Sequence, residues 1–391
     1  MKHISAQYIF TNAGLPLKRG IISASDDGTI AGIEDTGGKL VEKEAVEFYN
    51  GIIIPGFVNC HCHLELSHMR DMIPPKNGLA EFLRLFRTGR EADMEKIITS
   101  ASLTDSDMFN DGIVLCADVC NNDSTFSIKK RSKIKYISLL EIFGIDPDKA
   151  THRMNEIYQV ADNAKSIGLP YSLVPHSVYS ISLTLFSLIL AETRSNKVTS
   201  VHFMETRAEK MLLENREGPL MDSYKESELV KGDLETVRDH ATAVLQEITD
   251  SGNLILVHNT YTDRATIRKV KKRKNLFWCL CPNANLYIED HLPPLDLLME
   301  ENCPIVIGTD SLASNHRLSI LEELKTLQKF FPSVPLSELI LWATLNGAKA
   351  LGEEAFFGTI QPGKKPGLLL LQDIDLHKMR LLPESYVTRL I

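Results

Sequence analysis

Two histidines one residue apart close the first strongly apolar stretch of the chain, in Asn59-Cys60-His61-Cys62-His63-Leu64-Glu65. Alternate residues of a strand point the same way, so His61 and His63 would offer two imidazoles to one point. Paired neutral imidazoles suit a divalent transition metal such as zinc or iron. An isolated His-x-His is more often a surface pair, but this one has company. His176, His202 and His258 each end another apolar stretch, and Asp310 ends one more, in Gly308-Thr309-Asp310-Ser311. Such a set can hold a cation and move protons, which is the chemistry of metal-assisted hydrolysis.

Cysteine also binds zinc, but the same two-residue period turns Cys60 and Cys62 to the face opposite the histidines. They are expected as core thiols facing helices. The 7 cysteines form no paired Cys-x-x-Cys, and the number is odd, so neither a structural zinc nor a disulfide framework is expected. His63-Leu64-Glu65 matches half of the signature of the cysteine-ligated nucleobase deaminases; the Pro-Cys-x-x-Cys half is absent.

Eight short apolar runs have to position these residues: 51–58, 112–119, 134–141, 170–176, 198–203, 253–258, 276–282 and 303–310. Near-continuous apolar strands alternating with helical patterns, as at 154–167 and 321–330, imply a parallel sheet covered on both faces. Eight of them predict an α/β fold, a closed (β/α)8 TIM barrel, whose mouth lies at the C-terminal strand ends. The ends of the chain alternate and turn like small antiparallel strands. They predict a composite β-sandwich domain from 1–50 plus 355–391, beside a barrel over 51–354.

The composition fits this frame. The chain has 391 residues, 43% of them hydrophobic and 24% charged, which excludes disorder, collagen and coiled coil for the whole. Lys+Arg 43 against Asp+Glu 51 gives a net charge of −8, which disfavours nucleic acid or an anionic membrane as partner. The basic clusters at 129–133 and 268–274 are accordingly read as solvated helix faces. No apolar run reaches the roughly 18 residues of a membrane span, and the opening MKHISAQYIF does not read as a signal peptide. A cytoplasmic protein is expected, with a homodimer as the default assembly.

The chemistry-bearing set resembles the amidohydrolase superfamily, in the branch of cytosine deaminase and the triazine hydrolases. The resemblance implies one divalent metal ion, zinc with iron as the alternative, held by His61, His63, His202 and Asp310. Binuclear members usually carry a lysine at the end of strand 4; Ser172 to His176 has none. Glu205, three residues after His202, is similar to the His-x-x-Glu of aminohydrolases that deaminate nitrogen heterocycles. Asp310, His258 and Glu205 would then be catalytic. Asp310 would take a proton from the attacking water, His258 would orient that water, and Glu205 would protonate the ring nitrogen and then the departing ammonia.

Val174 to Ser182, Cys281 to Leu286 and Gly308 to Asn315 resemble segments of the adenosylhomocysteine, methylthioadenosine and aminofutalosine deaminases. This places Glu65, His176, Asn285 and Ser311 against a small heterocyclic substrate, an aminated purine nucleoside. Glu65 could equally form a supporting salt bridge. Dechlorination, guanine deamination, cyclic-amide opening or a catalytically idle metal protein remain the alternatives. The loop at 71–78 reads either as a pocket lid or as an ordinary connection.

Overall fold

The computed structural model describes residues 1–41, 45–227, 229, 234–236, 239, 248 and 252–391. Both ends of the chain contribute to one small β unit. Strands β1 (Lys2–Ile9), β2 (Leu17–Lys18), β3 (Ile21–Ala24), β4 (Ile30–Glu34) and β5 (Val46–Pro55) join β14 (Leu368–Asp375) and β15 (Arg380–Arg389). They hydrogen-bond as a continuous seven-stranded sheet in the order β15-β14-β5-β1-β3-β4, with β2 on β1. The period of two assigns its faces. Ile53, Leu368 and Leu370 pack into the unit's own core with Ile4, Ile22 and Ile30, whereas Ile52, Ile54, Leu369 and Leu371 join the main core. The all-leucine run 368–371 is therefore buried on both faces.

Each of the eight apolar runs holds one barrel strand. These are β6 (Phe57–Cys62), β7 (Ile113–Cys120), β8 (Lys135–Ile142), β9 (Tyr171–Pro175), β10 (Val198–Phe203), β11 (Asn253–His258), β12 (Leu276–Leu280) and β13 (Ile305–Ile307). The first run divides, since residues 51–55 finish β5 and β6 starts only at Phe57. Gly56 makes that change of sheet possible. A Cβ there would lie 2.4 Å from Val114 Cγ1 and 2.7 Å from the Pro366 carbonyl oxygen.

The strands form two parallel four-stranded sheets, β6-β7-β8-β9 and β10-β11-β12-β13. Parallel bridges Ser177↔His202 and Cys62↔Asp310 close both seams, so the eight strands make a barrel. A cluster drawn from every strand fills its lumen: Val58, Leu115, Leu139, Val174, Val198, Val257, Cys279 and Val306 are among its members. The short helix Gly347–Ala350 packs against β6, β11 and β13 and seals one end. Intervening residues such as Ile113, Leu140, Val201 and Leu256 pack outward with the helices. Among the described residues no helix is long and apolar enough to cross a membrane.

Cys60 does not face the helices. It lies in the lumen cluster with Cys279 and Cys281, while Cys62 belongs to the outer core with Cys116. Cys60 follows Val58 into the lumen by alternation, and a β-bulge beyond it switches Cys62 to the outer face. Between the pairs Asn59↔Cys116 and Cys62↔Asp118, β6 advances three residues while β7 advances two.

The basic cluster at 129–133 is also only partly solvated. Lys130, Arg131 and Lys133 are exposed. Lys129, on the helix Phe126–Arg131, is fully buried against the Asp118 carboxylate, with Nζ 3.3 Å from Cys120 Sγ and 3.2 Å from Ser138 Oγ. In the second cluster Arg268 and Lys271 pair with Glu301, and Arg273 is buried. Truncating one partner of a buried pair leaves the other charge uncompensated. Lys129→Ala is expected to cost about 3–5 kcal/mol in a denaturant-unfolding experiment. A loss below about 1 kcal/mol would show that Asp118 is neutral without its partner.

Candidate metal centre and active-site pocket

The bulge in β6 sets the first two donors, turning His61 and His63 together into the mouth. Asn59 secures the turn, donating from Nδ2 to Thr309 Oγ1 (2.8 Å) and accepting from His61 N (3.3 Å). Across the seam, Thr309 N and Asp310 N both donate to the His61 carbonyl (2.9 and 3.1 Å). Gly308 lets the two segments meet, because a Cβ there would fall 2.8 Å from His61 Cβ and 2.9 Å from Cys279 Sγ.

His202 reaches the mouth by ordinary alternation along β10. His258 does not, since its neighbours Leu254 and Leu256 point outward. A left-handed backbone (φ 75°) swings its ring inward; Asp310 (φ 57°) and Met204 (φ 47°) share that conformation. Each such residue stores about 1–3 kcal/mol of strain, held by the packed barrel around it.

The donors converge. Ligand atoms of His61, His202, His258 and Asp310 all lie within 4.8 Å of one another. His63 Nε2 stands 3.2 Å from His61 Nε2 and 3.4 Å from Asp310 Oδ1, and His61 Nε2 is also 3.4 Å from that oxygen. Two ligands bound at 2.0–2.2 Å to a tetrahedral ion stand about 3.3–3.6 Å apart, so the spacing fits zinc-like coordination. The protonation states agree. Burial, reinforced by neighbouring imidazoles, pushes His61, His63 and His202 below the ordinary histidine range, and burial does the same for His258. Neutral rings keep the lone pairs a cation needs. Burial opposes ionisation of Asp310, but His63, His258 and the Ser314 hydroxyl outweigh it and hold its carboxyl low. Buried His61 Nδ1 and His258 Nε2 have no hydrogen-bond partner among the described residues.

Surrounding groups fix the rings. His202 Nδ1 donates to the His176 carbonyl (2.9 Å), which turns Nε2 to the centre. Asn285 Nδ2 lies 3.2 Å from His258 Nδ1 and 2.8 Å from Thr260 Oγ1. Ser314 Oγ donates to Asp310 Oδ2 (2.5 Å).

Glu205 follows β10 and is 5% exposed. Burial, then the charges of Glu209 and Asp310, raise its carboxyl well above the ordinary range, which favours the protonated form. Its Oε1 is 3.7 Å from His258 Nε2, and Tyr179 OH is 3.5 Å from Oε2. A capping box on the helix Arg207–Asn215 fixes its backbone, with Glu209 Oε2 accepting from Glu205 N (2.7 Å).

These groups floor a pocket of about 310 Å³, lined by His63, His176, His202, Glu205, His258, Asp310 and Ser311 among others. Two residues read from sequence as substrate contacts lie behind the wall instead. Asn285 holds His258, and the Glu65 carboxylate accepts from Asn121 N (3.1 and 3.3 Å). Burial, then Asp118, raises Glu65 to about 7. His176 is in the wall, its ring 4.5 Å from that of His202 and its Nδ1 bonded to Ser180 Oγ (2.7 Å). Segment 71–78 does not line the pocket; the helix after it, Gly78–Gly89, does.

Glu141 is the functional candidate that sequence reading passed over. It ends the third run, the position that also marks His176 and His202, and that shared position is its signal in the sequence. It lines the pocket 3.6 Å from His202 Nδ1, held by Asn121 Nδ2 (3.3 Å), and burial raises its carboxyl.

Barrel, donor set and covered pocket define a metal-dependent hydrolase scaffold. The amidohydrolase family model matches residues 52–386, and the chain belongs to that family. It is similar to the 5-methylthioadenosine/S-adenosylhomocysteine deaminase of Pyrococcus abyssi, 26% identical over 87% of this chain and 77% of that protein. Among solved structures it resembles the Helicobacter pylori aminofutalosine deaminase in complex with methylthio-coformycin. The TM-score there is 0.81 at 22% identity, covering 96% of this chain and 93% of that one. It also resembles a zinc-bound adenosine deaminase from Xanthomonas campestris, at TM-score 0.69 and 20% identity over 98% and 87% of the two chains.

Proposed function

We propose that the protein hydrolytically deaminates adenosine-like nucleosides, replacing the ring amino group with oxygen from water and releasing ammonia. The observation that carries this is Glu205, a buried carboxyl 3.7 Å from His258 at the edge of the donor cluster, whose surroundings favour its protonated form. A metal-binding protein without chemistry needs no proton donor there.

His61, His63, His202 and Asp310 would hold one divalent ion, zinc in keeping with the Xanthomonas relative, and the ion would make water nucleophilic near neutral pH. Asp310 takes the proton of the attacking water. His258, held from behind by Asn285, orients that water and stabilises the charge that develops on attack. Glu205 gives its proton to the ring nitrogen beside the attacked carbon, recovers one from the hydroxyl formed on attack and passes it to the amine as ammonia leaves; the proton held by Asp310 then returns to Glu205 and resets both groups. His176 and Ser311 form wall contacts for the substrate, while Glu65 and Asn285 position the groups that touch it.

The test is ammonia release by the zinc-loaded protein from adenosine, 5′-methylthioadenosine and guanine. Release from the adenosine nucleosides at rates well above guanine is expected. Absence of ammonia from all three would end the reading.

A further inference from the structure

The groups that handle the attacking water stand on separate loops. His258 ends β11, and Asn285, which holds it, lies on the helix Pro282–Glu289 after β12. Asp310 follows β13. The loops after β12 and β13 must keep one spacing, because Asp310 takes a proton from the water that His258 orients.

A carboxyl outside the pocket joins these two loops. Glu323, on the helix Ile320–Phe330, is 0% exposed and does not line the pocket. Each of its oxygens serves a different loop. Oε2 accepts from Asn283 N (2.9 Å), at the start of the helix that carries Asn285. That helix has Pro at its first position and no side-chain cap of its own, so Glu323 supplies from a distance the acceptor its N-terminus lacks. Thr326, three residues beyond Glu323, adds a second hold by donating to Asn283 Oδ1 (2.5 Å).

The other oxygen, Oε1, accepts from Asn315 Nδ2 (2.8 Å). The same amide nitrogen donates to the Thr309 carbonyl (2.9 Å), one residue before Asp310. Thr309 N in turn donates to the His61 carbonyl. Both N–H bonds of the Asn315 amide are therefore in use, one on Glu323 and one beside Asp310.

This arrangement asks for two acceptor oxygens on one side chain. Glutamine has the same size but would turn its NH2 group on one of the two donors. Asn315 cannot answer by turning its amide over, because its second N–H serves Thr309. A buried donor left facing another donor is unfavourable, so one loop would have to shift. Such a shift passes directly to Asp310 through Thr309, or to His258 through Asn285.

We infer that Glu323 is a positioning residue, a brace behind the pocket that fixes Asp310 against His258 by holding both of their loops at once. The inference rests on the deaminase reading and adds to it a residue that acts only through Asn315 and Asn285.

The test is Glu323→Gln in the zinc-loaded protein, with 5′-methylthioadenosine as substrate and rates expressed per bound metal ion. A misplacement of the reacting groups predicts a kcat lower by about 10- to 100-fold. KM should stay within about threefold, because the pocket walls keep their places. Wild-type kcat in the variant overturns the inference and leaves the deaminase reading standing. A KM that rises as far as kcat falls also overturns it, since the whole pocket would then have loosened. Where Glu323→Gln yields no folded protein, Asn315→Ala decides in the same way, because it cuts the brace at Thr309 and leaves Glu323 on Asn283. No ammonia from the wild type overturns the deaminase reading and the inference with it.

Discussion

Glu205→Gln is expected to lower ammonia release about 10²- to 10⁴-fold, the usual contribution of a positioned proton donor. Gln fills the same volume, and its side-chain carbonyl can still accept from Tyr179, so packing around the 5%-exposed side chain is preserved. What it cannot do is give up a proton and take it back. Burial, then Glu209 and Asp310, raises the Glu205 carboxyl, which favours the protonated form a proton donor needs. The substitution touches no metal donor, so metal content by elemental analysis should stay at one ion per chain. Turnover within a few-fold of wild type would remove Glu205 from the mechanism.

Asp310→Asn should act differently, costing metal and activity together. Asp310 is the one ionised group among the converging donors, since burial keeps the histidines neutral. Without it a divalent cation would sit against uncharged imidazoles in a buried site with no counter-charge, an expensive arrangement. Even loss of outer partners of a metal site costs 10- to 100-fold in metal affinity or activity, so losing a charged donor should cost at least about 100-fold in both. Ser314 Oγ, which donates to Asp310 Oδ2, would keep the Asn side chain in place. The comparison therefore isolates charge. A variant that binds zinc as tightly as wild type would show that the ion is held elsewhere.

Most of the framework was legible in the sequence because barrel strands are buried on both faces and read as continuous apolar runs. Their ends then share one mouth, which is why His176, His202, His258 and Asp310 stand out together although they are spread over more than a hundred residues. What stayed hidden depends on backbone detail that no two-residue period encodes. Cys60 shares the lumen with Val58 by plain alternation, and the β6 bulge beyond it turns His61 inward and Cys62 outward, so the cysteines do not both lie opposite the histidines. The left-handed turn at His258 brings inward a ring that alternation would point outward.

Long-range packing hid the rest. Lys129 sits in a run that looks solvated, and only the approach of β7 makes it the partner of Asp118. Asn285 and Glu65 follow the right strands but turn to hold His258 and the backbone at Asn121. The helix Gly78–Gly89 shows an amphipathic pattern in sequence, yet nothing local says that its stripe covers the mouth.

The central claim is that water, activated at this donor cluster, replaces a ring amino group. Its most direct measurement is turnover of an adenosine nucleoside by the zinc-loaded protein in water enriched in heavy oxygen, with the product analysed by mass spectrometry. One heavy oxygen on the purine ring for each ammonia released, and neither after chelation of the metal, is the predicted result. Ammonia released without ring label, or label and ammonia undiminished in the chelated protein, would contradict it.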